Sequence, residues 1–131
     1  MMSFVLLSAG LLVATYGQSA ACEGHDRLAL DSTVELAGVL KSGQSEHEVQ
    51  GPFDYVYLEL AQPVCVDAPS GDSEQDEAVS IPDPVSRIQI AGDLLGPDIP
   101  IGKAVTVAGT LFAAHTAWHA EDVLVDAARI D

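Results

Sequence analysis

The sequence predicts an all-β fold, built as a small five-stranded barrel. Apolar and polar residues alternate along five separate stretches of the chain, which is the pattern of strands that bury one face. Beyond the first 21 residues, no stretch keeps a helical period for more than about two turns. A flattened β-sandwich is the alternative architecture.

The first two predicted strands are STVELAGVL (32–40) and FDYVYLEL (53–60). Val34 and Leu36 point inward from the first strand, and Gly38 indicates a bulge or a sharp bend. In the second strand the same alternation puts the aliphatic residues on the inward face and the aromatic residues on the outward face. The inward residues are Val56, Leu58 and Leu60.

The remaining predicted strands are VSRIQI (85–90), KAVTVAGTLF (103–112) and EDVLVDAARID (121–131). The third strand turns Ile88 and Ile90 inward and leaves Arg87 and Gln89 outward. The fourth has four residues on its inward face, namely Val105, Val107, Gly109 and Leu111.

Three connections separate these strands. KSGQSEHEVQGP (41–52) reads as a polar hairpin loop. Residues 67–84 contain six acids and three prolines, so we expect a solvated, mobile loop. Its acids are potential calcium ligands, but their spacing does not match the EF-hand pattern, and a charge run that serves solubility is the preferred interpretation. Residues 92–102 leave room for one short helical turn before the prolines.

Together these features are typical of the oligonucleotide/oligosaccharide-binding (OB) barrel, a five-stranded Greek-key fold. They are the five short strands, the glycine in the first of them, and the short helical or irregular crossover between the third and the fourth. We therefore expect residues 22–131 to form a single OB-like domain.

Residues 1–21 are predicted to be a signal peptide. An apolar run from Phe4 to Ala14 is too short to span a membrane, and small residues follow it at Ser19, Ala20 and Ala21. We expect a periplasmic or secreted protein. Lipid attachment at Cys22 is the less favoured alternative, because Ser19 is not the larger aliphatic residue usual three positions before a lipidated cysteine.

Two cysteines remain in the exported part, Cys22 and Cys65. In an oxidising compartment they are expected to form a disulfide. The bond would join the approach to the first strand with the end of the second, and the loop it closes is worth about 3–4 kcal/mol in the chain-entropy model. The alternative is a lipidated Cys22 beside a free Cys65.

The formal net charge is −15, from 20 acids against 5 bases. A field of that sign repels phosphate backbones and anionic lipid surfaces. We expect no nucleic-acid partner and no membrane span, and a monomer whose partner is an unidentified ligand or envelope protein.

The segments VELAGVL, YLELAQPVCV, RIQI and KAVTVAGTLFAAHTAWHAEDVLVDAARI resemble an exported bacterial family, the domain-of-unknown-function family number 4431. The resemblance covers most of residues 32–130, and its most specific parts are Cys65 and the GTLF…HT…H segment that ends at His119. Trp118 and Ala120 stand where members of the family often carry further histidines. The resemblance implies export and brings no assigned activity.

The outward face of the second strand is a candidate ligand site. OB barrels bind ligands across their second and third strands and use aromatic rings as stacking platforms. Phe53, Tyr55 and Tyr57 lie on this face, and Arg87 lies on the next strand. A neutral glycan or a peptide fits the acidic chain best, while ordinary cross-strand aromatic packing is the alternative.

The stretch HTAWHAED (115–122) is a candidate metal site. In a turn, His115 and His119 lie close enough to share an ion, and Glu121 or Asp122 would supply a third ligand for zinc or copper(II). The alternatives are a polar loop whose histidines bond to neighbouring groups, with Trp118 covering an edge of the barrel, and a pH-responsive loop.

Motifs of the common hydrolases and phosphate-binding proteins are absent from the sequence: it has no G-x-S-x-G, no Gly-rich phosphate loop and no H-E-x-x-H. We therefore expect a binding or accessory domain without a required cofactor, not an enzyme. A metal-binding protein is the alternative, and a hydrolase is the weakest.

Overall fold

A computed structural model describes residues 20–67 and 81–131. Its strands are β1 (Arg27–Ala29), β2 (Thr33–His47), β3 (Gly51–Asp67), β4 (Val85–Ala91), β5 (Ala104–Ala113) and β6 (Val123–Ile130), and a single 3₁₀ turn covers Ala20–Cys22. The described residues contain no α-helix, so the predicted all-β class is confirmed.

Among the residues that the structure describes, no helix has the length and apolar character needed to cross a membrane.

Strands β2 to β6 close into a barrel. Their order is β3–β2–β5–β6–β4, and pairing between β3 and β4 closes the ring. Neighbouring strands are antiparallel except β4 and β6, which run parallel. This is the Greek-key topology of the OB barrel, as predicted, and the sandwich alternative is not what forms. The prediction missed β1, a three-residue strand that runs parallel to the end of β3.

The core contains the residues that the alternation turned inward. Leu36 is 4% exposed, and four residues are fully buried: Leu58, Ile88, Val107 and Leu111. Val34, Leu60, Ile90 and Val105 are buried beside them, and β6 adds Val123, Val125 and Ala127. Burial of this apolar surface is the main force that holds the strands together.

Gly38 marks the close approach of β2 and β3. A Cβ atom at this position would collide with the carbonyl oxygen of Glu59. The sequence predicts a bulge or a sharp bend at Gly38, but its pairings with β3 and β5 show no register shift. The role of this glycine is steric, because it lets two backbones pass where a side chain has no room.

The region between the first two predicted strands differs from the expected polar loop 41–52. Strand β2 continues to His47 and β3 begins at Gly51, with ten paired residues from Gly38↔Leu60 to His47↔Gly51. Only residues 48–50 form the turn. The sequence does not reveal this two-stranded extension of β2 and β3, the β2–β3 ribbon, because it projects beyond the barrel core. There the alternation between core-facing and solvent-facing residues no longer applies.

The predicted disulfide is present between Cys22 and Cys65, whose Cα atoms are 5.9 Å apart. Strand β1 brings the two cysteines together. Arg27 lies opposite Cys65, and the Cys65 amide donates to the Asp26 carbonyl. Residues 1–19 of the leader predicted at 1–21, and residues 68–80 of the acidic loop predicted at 67–84, lie outside the described residues.

Candidate functional site

A row of aromatic rings follows the outward face of β3. The ring centroids of Phe53 and Tyr55 are 6.5 Å apart, and those of Tyr55 and Tyr57 are 5.8 Å apart. The row forms because residues two apart on a strand share a face. The neighbouring position on β2 is Gly43, which pairs with Tyr55.

Gly43 makes room for the ring of Tyr55. A Cβ atom at Gly43 would lie 2.7 Å from Cζ of Tyr55 and 2.9 Å from its hydroxyl oxygen. The absence of a side chain at Gly43 therefore leaves the room that the Tyr55 ring and its hydroxyl occupy.

A polar cluster joins Tyr55 to Arg87 and Glu121. The Tyr55 hydroxyl donates to Oε2 of Glu121 at 2.6 Å and accepts from Nη2 of Arg87 at 2.9 Å. Arg87 and Glu121 also form an ion pair of 2.8 Å between the same two atoms. The guanidinium lies over Tyr57, with Cζ 3.9 Å from the ring centroid, which is a cation–π contact.

The pKa shifts in this cluster favour a neutral Tyr55 and a positively charged Arg87. Partial burial, followed by the hydrogen bond to Glu121, raises the pKa of Tyr55 above its ordinary value of 10.0. Partial burial opposes the charge on Arg87, but the Glu121 carboxylate and the nearby tyrosines outweigh it, so its pKa is also raised. The tyrosine is therefore a neutral donor and the arginine a cation at neutral pH.

The loop 114–122 lies against the outward face of β4, where Gln89 holds it. Nε2 of Gln89 donates to the Trp118 carbonyl at 3.1 Å, and Oε1 accepts from the amides of Ala120 and Glu121 at 2.7 and 3.1 Å. Gln89 is 6% exposed and is the buried polar residue of the described chain. It fixes both Trp118 and Glu121 relative to the barrel.

Trp118 connects this loop with the β2–β3 ribbon. Its ring stacks on His47 at 4.2 Å and meets Phe53 edge-on at 4.9 Å. His47 is itself fixed, because its Nδ1 accepts from the amides of Val49 and Gln50. Trp118 remains 46% exposed. We refer to His47, Phe53, Tyr55, Tyr57 and Trp118 together as the aromatic face.

The four predicted ligand-binding residues are brought together, but they are not equally accessible. Phe53 and Tyr55 are half-buried and Arg87 is exposed. Tyr57 is only 9% exposed because Arg87 lies over its ring. The reachable part of the aromatic face is therefore the end at Trp118, together with Arg87.

The four predicted metal ligands do not all come together in the structure. The rings of His115 and His119 are 4.7 Å apart, which shows that the two imidazoles do converge in the loop. Nδ1 of His119, however, accepts from the amides of His115 and Thr116 at 2.9 and 3.3 Å. In a neutral imidazole the proton is then on Nε2, so in this arrangement neither nitrogen offers a lone pair to an ion.

Glu121, the third predicted ligand, is committed to Arg87 and Tyr55. Across residues 20–67 and 81–131, the one group of three ligand atoms within 4.8 Å of one another joins Cys22, Cys65 and Asp83. Its cysteines form the disulfide and cannot act as thiolate ligands. Metal binding at His115, His119, Glu121 and Asp122 stays a prediction that needs a rearranged loop.

Sequence reasoning missed three parts of this site: Trp118 as an exposed ring, His47 as its stacking partner, and Gln89 as the residue that holds the loop. Trp118 is the single tryptophan of the chain, and the sequence indicates no more for it than a cover for the barrel edge. No local pattern marks His47 and Gln89, because their partners are about 70 and 30 positions away.

A family model described as "Domain of unknown function (DUF4431)" matches residues 87–131. The expected resemblance to that family is thereby confirmed over β4 to β6 and loop 114–122. Comparison with curated proteins and with solved structures finds no match to this chain.

Proposed function

We propose that this protein is an exported binding domain that holds a neutral glycan or a peptide on its aromatic face, acts as a monomer and catalyses no reaction. The single observation that carries the proposal is the exposed Trp118 ring, which contacts Phe53 on the face that also carries Tyr55 and Arg87. An aromatic ring that is half exposed gains binding energy when a ligand covers it.

The position of the face within the fold supports the proposal. It lies on the two strands that correspond to the second and third strands of an OB barrel, between the β2–β3 turn and loop 114–122. These are the strands and loops with which OB barrels contact their ligands. The Cys22–Cys65 disulfide supports export, because such bonds persist in oxidising compartments.

Charge argues against an anionic ligand. Four of the five Lys and Arg residues are engaged in ion pairs with acids of the same chain. The net charge of −15 repels phosphates and sulfated chains. Neutral ligands, or cationic peptides, meet no such barrier.

A titration that follows Trp118 fluorescence tests the proposal. Because the chain has one tryptophan, its emission reports on the aromatic face without interference. We expect neutral oligosaccharides or tryptophan-free peptides to shift the emission, and calorimetry to show that binding is lost in Trp118→Ala. Leu94→Ala is the matched control, because Leu94 is 44% exposed but lies on the separate segment 92–102. Binding that survives Trp118→Ala, or the absence of binding by both ligand classes, would contradict the proposal.

Metal binding by loop 114–122 is the second candidate, favoured by the 4.7 Å approach of His115 and His119. It is tested by calorimetric titration of zinc and of copper(II) into the oxidised protein and into His115→Ala/His119→Ala. We expect heat that is lost in the double variant if the loop rearranges to free Nδ1 of His119. Heat that is unchanged in the double variant would eliminate this site.

A further inference from the structure

The surface next to Trp118 carries more polar chemistry than an aromatic platform needs. Arg87 and Glu121 of the polar cluster also line a cavity of about 130 Å³. Pro82 and Pro84 supply apolar walls, and Ser86 and Asp122 add a hydroxyl and a second carboxylate. Exposed aromatic surface and a small polar cavity therefore adjoin one another through Tyr55.

The polar cluster can hydrogen-bond a ligand without being dismantled. Its ion pair and its two hydrogen bonds use one nitrogen of Arg87, Nη2, and one oxygen of Glu121, Oε2. The guanidinium has further N–H donors on Nη1 and Nε, and the carboxylate has a second acceptor, Oε1. Two residues that line the cavity thus keep donors and acceptors that the cluster does not use.

We propose that the ligand is a neutral oligosaccharide, with one sugar ring against Trp118 and the hydroxyls of a neighbouring ring hydrogen-bonded to Arg87 and Glu121. This inference rests on the proposed function and selects one of its two ligand classes. A sugar ring presents an apolar C–H face, which packs on an aromatic ring, and a rim of hydroxyls, each of which both donates and accepts. The Trp118 ring suits the apolar face of a sugar, and the Arg87–Glu121 pair suits its hydroxyls.

The length of the aromatic face along β3 suits more than one sugar ring. Trp118 contacts Phe53, whereas Arg87 bonds to the hydroxyl of Tyr55 and lies over the ring of Tyr57. The strand residues from Phe53 to Tyr57 span about 13 Å, which is longer than a single pyranose. We therefore expect an oligosaccharide to cover this face more completely than a monosaccharide.

A peptide fits the centre of this face less well. Extended peptides commonly bind by adding a strand to an open sheet edge. Here Tyr57 pairs with Lys41 on one side and with Gln89 on the other, and Gln89 also pairs with Leu124. The backbone is already bonded, so the surface offers side chains to a ligand.

The test measures binding of neutral tetrasaccharides of glucose and of N-acetylglucosamine, their monosaccharides, and tryptophan-free neutral and cationic octapeptides. Trp118 fluorescence is the readout, with calorimetry for confirmation. We expect a tetrasaccharide to bind, its monosaccharide to bind at least tenfold more weakly, and the affinity to change little with salt, because the ligand is uncharged.

The Arg87→Met and Glu121→Gln variants test the polar half of the site. Each is expected to weaken tetrasaccharide binding by about tenfold, the loss that accompanies removal of one charge-assisted hydrogen bond. Arg27→Met is the matched control, because Arg27 also forms an ion pair and its side chain is 44% exposed against 43% for Arg87. Circular dichroism establishes that each variant is folded.

The possible failures are distinguishable. Peptide binding without saccharide binding would overturn the inference and keep the proposed function. Saccharide binding that is insensitive to both Arg87→Met and Glu121→Gln would overturn the assignment of the polar cluster. If no saccharide and no peptide binds, both the inference and the proposed function fail.

Discussion

At the scale of single residues, the site depends on side chains that satisfy backbone groups. Gln89 binds three backbone atoms of loop 114–122, and His47 and His119 each accept two amides through Nδ1. Buried polar groups need such partners because an unmet donor or acceptor costs about 1–3 kcal/mol. These residues position the loops on either side of Trp118.

Replacement of Gln89 by leucine is expected to lower the free energy of unfolding by about 1–3 kcal/mol. The amides of Ala120 and Glu121 lose their acceptor, and hydrogen exchange at both should accelerate. Exposed Gln44 provides the control, since Gln44→Leu should alter neither quantity appreciably. Unchanged exchange at the two amides in Gln89→Leu would show that Gln89 does not hold the loop.

The pH dependence of the loop follows from His119. Burial, and then the nearby His115, lower its pKa from the ordinary 6.5, so the folded protein favours the neutral ring. The resulting stability is fully present above about pH 6.5 and is lost as the pH falls through the lower folded pKa. NMR spectra recorded over this range should show the His115 and Thr116 amides exchanging faster as His119 takes up a proton. Protection that is constant through the titration of His119 would contradict this.

At the scale of elements, the long β2–β3 pair carries the site, and two glycines permit it. Gly38 allows β2 to pass close to the backbone of Glu59, and Gly43 allows the Tyr55 ring to lie over β2. Because the same pair contributes Leu40, Leu58 and Leu60 to the core, the aromatic face is attached to strands that are anchored in the core.

Gly38→Ala is expected to destabilise the protein by about 1–3 kcal/mol, the usual cost of forced overpacking. The new Cβ would meet the Glu59 carbonyl, and backbone cannot move aside as a flexible side chain can. Gly96→Ala is the control, because nothing lies within 4 Å of a Cβ at that position. Urea denaturation of the two variants measures the difference, and equal stabilities would refute the steric role of Gly38.

At the scale of the whole molecule, a closed barrel and one disulfide hold a strongly acidic chain together. The ion pairs are largely exposed, as at Arg27–Asp67 and Arg129–Glu35, and such pairs contribute little to stability. The barrel core and the bond between Cys22 and Cys65 are therefore the main stabilising features of the described chain.

The double variant Cys22→Ala/Cys65→Ala should lose about 3–4 kcal/mol of unfolding free energy, from a closed loop of 43 positions. The disulfide fastens β1 to the end of β3, and the ring contacts of the aromatic face do not involve it, so stacking of a ligand on Trp118 in the folded fraction should persist. Urea denaturation of the oxidised protein and of the variant provides the comparison. A loss below about 1 kcal/mol would show that pairing of β1 with β3 already holds this end.

The amino-acid sequence by itself determined the five barrel strands in outline, the barrel class, the disulfide and the aromatic row on β3, because each depends on local periodicity or on residue type; β1 and the β2–β3 ribbon were not apparent from it. Only the tertiary structure decided that Trp118, Glu121 and Gln89 converge on this row. Those contacts join positions that are about 30 to 70 residues apart, and their formation depends on where the closed barrel places loop 114–122. The same loop geometry turned His119 toward its own backbone, because two nearby amides needed an acceptor.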